Sequence, residues 1–147
     1  MLSNLIVKKA SESDAKLIFD IDKDYGFEKY TFESILYTLS TEQYLNFLIL
    51  KGDEAIGYIS YSKVMEEAEL IKIVIKNNYR AMGFGDFLIK KSLNKLCEMG
   101  ITKVFLEVRA SNMNAIKLYE KNNFKKINIR QKYYSDGEDA IIYGLSL

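Results

Sequence analysis

A mixed α/β fold, one sheet covered by helices, is what the sequence predicts, and three observations predict it. The hydrophobic repeat switches several times between the alternation of a strand and the 3.6-residue period of a helix. Strand-like and helix-like segments alternate through the second half of the chain, while antiparallel pairs joined by short turns stand at both ends. No repeat, low-complexity tract or Pro/Ser-rich linker divides the 147 residues, and proline is absent altogether, so residues 1–147 read as one domain.

Leu5 to Lys9 forms a first strand. Ser11, with Asp14 three residues on, makes a capping arrangement that opens a helix running to about Asp22. A second helix follows Thr31 through Leu39. YLNFLIL (44–50), a Gly52-Asp53 turn and AIGYISYS (55–62) make a hairpin rich in β-branched and aromatic residues. ELIKIVI (69–75) is a nearly continuous apolar strand that leads straight into YRAMGFGDF (79–87). The helix after it puts Gly85, Leu88, Ile89, Ser92, Leu93 and Leu96 on one face, with Lys90, Lys91, Asn94 and Glu98 opposite. TKVFLEV (102–108) is the next strand and NAIKLYEK (114–121) a short helix. FKKINIRQKYY (124–134) and DAIIYGLSL (139–147) form a final hairpin turned at Asp136-Gly137.

Composition removes several function classes. With 48% hydrophobic and 28% charged residues and a formal net charge of +1, the chain lacks the one-sided basic balance of phosphate-dominated nucleic-acid binding. No apolar run approaches the roughly 18 residues of a membrane span, so neither nucleic acid nor membrane is expected as a partner. The lone Cys97 has no internal disulfide partner and reads as a small buried residue of its helix. The N-terminus lacks the charged-then-apolar order of a signal peptide, and a cytoplasmic location is expected. The chain has no histidine, which excludes Ser-His and Cys-His nucleophile pairs, HExxH sites and Cys/His zinc clusters; no metal is expected. Proton chemistry falls to carboxylates, tyrosines, lysines or water.

Between the apolar strand and the helix stands Arg80-x-x-Gly83-x-Gly85. A strand, a short loop and a helix N-terminus present unpaired N–H groups and a positive dipole end, which suit a phosphate, and the glycines remove side chains that block its approach. Walker A fits poorly, and the dinucleotide fingerprint needs a third glycine where Leu88 stands. A tight strand-to-helix turn is the alternative. Strand alternation puts Val104, Leu106 and Val108 on one face and Phe105, Glu107 and Arg109 on the other, so Glu107 shares its face with an aromatic. A partly desolvated carboxylate gains basicity, although Glu107 is also compatible with a solvated outer face. Tyr119 lies one helical turn from Ala115 and Ile116, as either a core aromatic or a phenol with a task.

Taken in order, Arg80-x-x-Gly83-x-Gly85, LEVRASN (106–112), LYEKNNF (118–124), RQKYY (130–134) and EDA (138–140) resemble the GNAT acetyl-CoA-dependent N-acetyltransferases, and among them the RimI-like ribosomal-protein N-terminal acetyltransferases. The likeness runs from about Ala68 to the C-terminus. It implies a GNAT fold: a central, mostly antiparallel sheet with one parallel pair splayed at the acetyl-CoA site and helices on both faces. It implies that residues Arg80, Ala81, Met82, Gly83, Phe84 and Gly85 cradle the pyrophosphate of acetyl-CoA. Glu107 is then the general base and Tyr119 the acid that protonates the departing thiolate. Asn112 contacts the pantetheine arm or caps the helix carrying Tyr119, and an amide of Ile73, Val74 or Ile75 receives the oxyanion. Tyr133 and Tyr134 resemble the tyrosine pair that grips a peptide backbone, and Phe27 stands with them on the acceptor side; adjacent tyrosines are also good strand formers.

The chemistry is consistent with these roles. An α-amino group with a pKa of about 7.7 is roughly one-sixth neutral at pH 7, against a few in ten thousand for lysine near 10.4, so one carboxylate suffices for the former. A tyrosine near 10 can protonate a thiolate whose acid has a pKa of about 8.5. The acceptor is expected to be a protein or peptide N-terminus, with ribosomal proteins first, or else a small amine such as a polyamine, amino acid or aminoglycoside; a catalytically silent acetyl-CoA binder is the third reading.

The chain departs from the family at three places: Asn123 stands where glycine is usual, Lys76-Asn77-Asn78 lacks a proline before the loop, and Tyr25-Gly26-Phe27 lacks a proline-tryptophan pair. Glu66, Glu67 and Glu69 read as a solvated rim, and Tyr25, Phe27, Tyr30 and Phe32 as either a cleft lining or a helix staple.

Overall fold

The computed structural model describes residues 4–147; the reading of the N-terminus rests in part on the first three residues, which lie outside them. Among the described residues, seven strands form one sheet in the order β1-β2-β3-β4-β5-β7-β6: β1 (Leu5–Lys9), β2 (Tyr44–Lys51), β3 (Glu54–Val64), β4 (Glu67–Ile75), β5 (Lys103–Arg109), β6 (Lys125–Arg130) and β7 (Ala140–Ser146). Every pairing is antiparallel except β4 with β5. The four α-helices are α1 (Ala15–Asp22), α2 (Phe32–Ser40), α3 (Phe84–Glu98) and α4 (Met113–Lys121).

Local chemistry explains the boundaries. The Ser11 amide donates to the Asp14 carboxylate at 2.9 Å, and a 3-10 turn over Glu12–Asp14 leads into α1. Thr31 caps α2, its Oγ1 accepting from the Ser34 amide at 3.1 Å. Gly52, at φ +60°, makes the two-residue turn between β2 and β3. Asn123, at φ +71°, occupies the left-handed position after α4 that glycine usually fills, which asparagine tolerates among side-chain-bearing residues. Cys97, contrary to expectation, is exposed: one residue past buried Leu96, it is rotated by about 100° off the core-facing stripe.

Helices pack on both faces of the sheet. Ile18, Ile21 and Ile35 of α1 and α2 pack with Leu48, Tyr58 and Val74. Leu88, Ile89 and Leu96 of α3 and Ile116 of α4 pack with Phe47, Ile59, Leu106 and Tyr143.

Strand β4 changes sides partway along. Against β3 it pairs Leu70 with Tyr61 and Lys72 with Ser60, so Ile71 is an extra residue, a bulge. Ala68 and Leu70, before it, face the α3 core; two residues of the same parity after it, Lys72 and Val74, are buried on the opposite side, Val74 in the α1–α2 cluster. A one-residue insertion inverts the inward set in this way because the side-chain period of a strand is two. The bulge also ends the parallel pairing. The last β4–β5 pair is Leu70 with Leu106, and beyond it residues 72–75 and 107–109 keep only their partners on β3 and β7. The two strands therefore part, leaving an open wedge.

Gly57 lies opposite the far end of β4, where a Cβ would stand 2.8 Å from the Val74 carbonyl oxygen and 2.6 Å from Ile75 Cδ1. Backbone cannot yield as a side-chain tip can. Gly57→Ala is expected to cost about 1–3 kcal/mol, a thermal midpoint lowered by several degrees; an unchanged melting curve contradicts this packing.

Candidate active site

Two adjoining clefts open where β4 and β5 part, and both are bordered by Tyr25, Phe27, Ile73, Asn112 and Ala115. The larger, about 570 Å³, runs between the end of β4, the loop before α3 and one face of α4. Ile73, Val74, Ile75, Arg80, Ala81, Gly83, Phe84, Gly85 and Asn112 all line it. Met82 is exposed and lines neither cleft.

The loop is bare for a physical reason. Ala81 and Gly83 take left-handed backbone conformations, φ +61° and +86°. A Cβ on Gly83 would meet no atom within 4 Å, so that position faces open space. The first α3 amide with a helical acceptor is that of Phe87, on the Gly83 carbonyl at 3.1 Å; an α-helix leaves the amides before it without such partners. The expected proline is missing, yet the loop is pinned. A 3-10 turn over Asn77–Tyr79 begins with the Asn77 amide on Asp24 Oδ2 at 2.8 Å. The Arg80 guanidinium turns back to the Ile75 carbonyl at 3.0 Å and to the Asp24 carbonyl, tying the loop to the α1–α2 connection. Asn112 caps α4, its Oδ1 accepting from the Ala115 amide at 3.3 Å, while it also borders both clefts.

The smaller cleft, about 260 Å³, holds both Glu107 and Tyr119. Glu107 Oε2 is buried and has no hydrogen-bond partner, a costly state for a carboxylate oxygen unless something is to be placed there. The Glu107 carboxylate pushes the Tyr133 phenol up, and burial together with the Glu107 charge pushes Glu69 up. Tyr119 is buried among core residues, with Phe124 edge-on to its ring at 5.8 Å; burial raises its phenol well above the usual tyrosine range. It is thus a core aromatic and a cleft residue at once.

Tyr133 and Tyr134 do not stand on a strand. Pairing of β6 with β7 ends at Arg130–Ala140, Lys132 takes φ +51° with its amide on Asp139 Oδ1 at 2.9 Å, and the tyrosines ride on the connecting loop. Tyr134 lines the smaller cleft; Tyr133 lies outside it, about half exposed. Phe27 and Tyr25 close the cleft from the α1–α2 connection, whereas Phe32 packs edge-on against Phe19 at 5.8 Å and belongs to the helix staple.

Sequence reasoning missed Arg109. Its guanidinium binds Asp136 at 2.8 Å and Glu138 at 3.0 Å and lies over the Tyr134 and Phe27 rings at 4.1 and 5.1 Å. One side chain therefore gathers the β6–β7 loop and the α1–α2 connection around the cleft. Glu138 in turn accepts from the Ser111 amide at 2.7 Å. The signal was the pairing of a strand-end arginine with an acidic turn, Asp136-Gly137-Glu138.

Comparison with known proteins agrees with this geometry. The model of the acetyltransferase (GNAT) family matches residues 14–124. The [ribosomal protein bS18]-alanine N-acetyltransferase of Haemophilus influenzae is 33% identical over 129 residues, covering 88% of this chain and 87% of that protein. Among solved structures, the ribosomal-protein-S18-alanine N-acetyltransferase from Escherichia coli superposes with a TM-score of 0.88 at 30% identity, over 97% of this chain and 93% of that one. Ard1 from Thermoplasma volcanium superposes at 0.85 with 26% identity, over 98% of both.

The loop should respond to acid. The Glu138 amide and then Arg109 hold Asp136 below its ordinary value of 3.8, and Ser111 and then Arg109 hold Glu138 below 4.5. Lowered carboxyl values mean that this tethering is full above the unfolded values and is lost as pH falls through the lowered ones. Protection of the Tyr134 and Gly137 amides, their exchange rates taken relative to the unstructured chain at the same pH, is expected to fall below about pH 4, and in Arg109→Met to be low already at neutral pH. Equal exchange in both proteins contradicts the tether.

Proposed function

We propose that this chain, which belongs to the acetyltransferase (GNAT) family and is an acetyl-CoA-dependent N-acetyltransferase, acts on the N-terminal α-amine of a protein, ribosomal proteins first among them. The observation that carries the reading is the unpartnered Glu107 oxygen in one small cleft with Tyr119, beside the bare loop. The names of the relatives support the acceptor class.

The larger cleft fits acetyl-CoA. Gly83 leaves the main chain approachable, a Cβ on Gly85 would reach only Leu118 and Ile75 at 3.5 and 3.8 Å, and unpaired first-turn amides with the helix dipole suit the pyrophosphate. Residues 80–85 would hold it, with Asn112 and the end of β4 along the arm. Acetyl-CoA supplies a thioester that an amine can attack. Glu107 takes the proton of the acceptor ammonium, directly or through a water, in the cleft bordered by Phe27 and Tyr134. An amide on the free edge of β4, among Ile73, Val74 and Ile75, donates to the oxyanion, because the splay leaves that edge without a strand partner. Tyr119 would give its proton to the sulfur as the C–S bond breaks and recover one from the nitrogen, which sheds its second proton on becoming an amide. Burial raises the Tyr119 phenol, so it stays protonated at neutral pH and is available as a donor, although as a weaker acid than a free tyrosine.

The 260 Å³ volume also suits a small amine, which is the second reading. A panel of short peptides with free or blocked N-termini, run beside spermine and lysine for thiol release from acetyl-CoA, separates the two. Free-terminus peptides are expected to turn over, and activity confined to small amines contradicts the proposal. Glu107→Gln is expected to lower turnover about a hundredfold at neutral pH, by less as pH rises and the amine deprotonates unaided, with acetyl-CoA affinity unchanged. A uniform loss from pH 6 to 9 removes Glu107 from this role.

A further inference from the structure

The floor of the smaller cleft holds a buried ammonium for which the chemistry above has no use. Lys72 is the one charge within the apolar run 70–75, and the Ile71 bulge turns it inward. Its side chain is 3% exposed. Nζ donates to Asp22 Oδ1 at 2.8 Å and to the Glu28 carbonyl at 2.8 Å, and lies 3.7 and 4.2 Å from the ring centroids of Tyr30 and Tyr25. Asp22 is itself fixed, accepting from Tyr58 Oη and from the Tyr30 amide, both at 2.7 Å. A buried carboxylate beside two phenol faces is a receptor for an alkylammonium ion. Here the chain fills that receptor with its own side chain.

We propose that Lys72 is a specificity-determining residue: as the internal occupant of the Asp22–Tyr25–Tyr30 cage it sets the wall of the acceptor cleft and denies the cage to a second cation brought by the acceptor. The inference rests on the smaller cleft being the acceptor site. Tyr25 and Tyr30 border that cleft as well as the cage, and the Glu28 carbonyl is held only two residues from Tyr30. Loss of the ammonium therefore frees the wall and leaves an uncompensated carboxylate behind it, a strong attraction for any small ammonium able to enter. Acceptors that carry an extra amine, polyamines above all, meet a closed cage in the native protein.

The test uses the full chain with Lys72→Ala, and with the double variant Lys72→Met, Asp22→Asn, which removes both charges while keeping the volume and guards against a fold lost to an unpaired Asp22. Acetyl-CoA affinity should stay within about twofold of the native value, while the acceptor KM rises about tenfold in both. In Lys72→Ala, added n-propylammonium, which matches the atoms removed beyond Cβ, should restore the acceptor KM and n-propanol should not, and spermidine, without effect on peptide acetylation by the native protein, should become competitive with the acceptor. A native KM in the double variant, or rescue by the alcohol as well as the amine, overturns the proposal. If the native protein acetylates small amines and no peptide, the peptide reading has failed, and the same rise in KM and the same rescue are then required with that amine for the cage to stand.

Discussion

The functional end of this molecule depends on one inserted residue. Ile71 bulges from β4 next to the last residue that pairs with β5, and the two consequences are coupled. The strand bends away from β5, which opens a wedge and frees an edge of main-chain amides, and its side-chain parity inverts, which buries Lys72 on the α1–α2 side. A regular strand would continue the parallel pairing and close the wedge. It would also send Lys72 into the apolar α3 core, where no carboxylate waits.

The wedge alone does not make a cleft with walls. The α1–α2 connection, residues 23–31, has no helix or strand of its own and is held by three cations from the opposite side: Arg80 on the Asp24 carbonyl, Lys72 on Asp22 and the Glu28 carbonyl, and Arg109 over the Phe27 ring. Each cation sits on a different part of the site: the loop before α3, the floor of the smaller cleft, and the end of β5. The segment is thereby held in three places by the same elements that frame the two clefts. The same logic replaces the missing prolines, since a turn can be stiffened by hydrogen bonds at its ends as well as by a ring in its backbone.

Much of this was legible in the sequence. The strands and helices lie close to where periodicity placed them, except that β6 stops at Arg130 and not at Tyr134, and the glycine loop, Glu107, Tyr119 and the Asn112 cap fall around the two clefts. What was not legible has specific causes. A bulge adds one residue without changing composition, so the face of Lys72 could not be assigned from alternation through ELIKIVI. Tyr133 and Tyr134 carry strand propensity but are pulled into a loop by partners distant in sequence, Arg109 above all, which local pattern does not encode. Cys97 shows the reverse, where a step of one residue around α3 outweighed the burial preference of its side chain.

We propose that a left-handed turn at Gly83, free of a side chain, lets the main chain hold the pyrophosphate of acetyl-CoA. Calorimetric titration of acetyl-CoA into the native protein and into Gly83→Val decides this, because a branched side chain at φ +86° is both strained and aimed at open cleft space. Clear uptake by the native chain is expected, with an affinity lowered about tenfold or more in the variant, equal to about 1.4 kcal/mol at least. No uptake by the native protein, or equal affinity in the two, contradicts it.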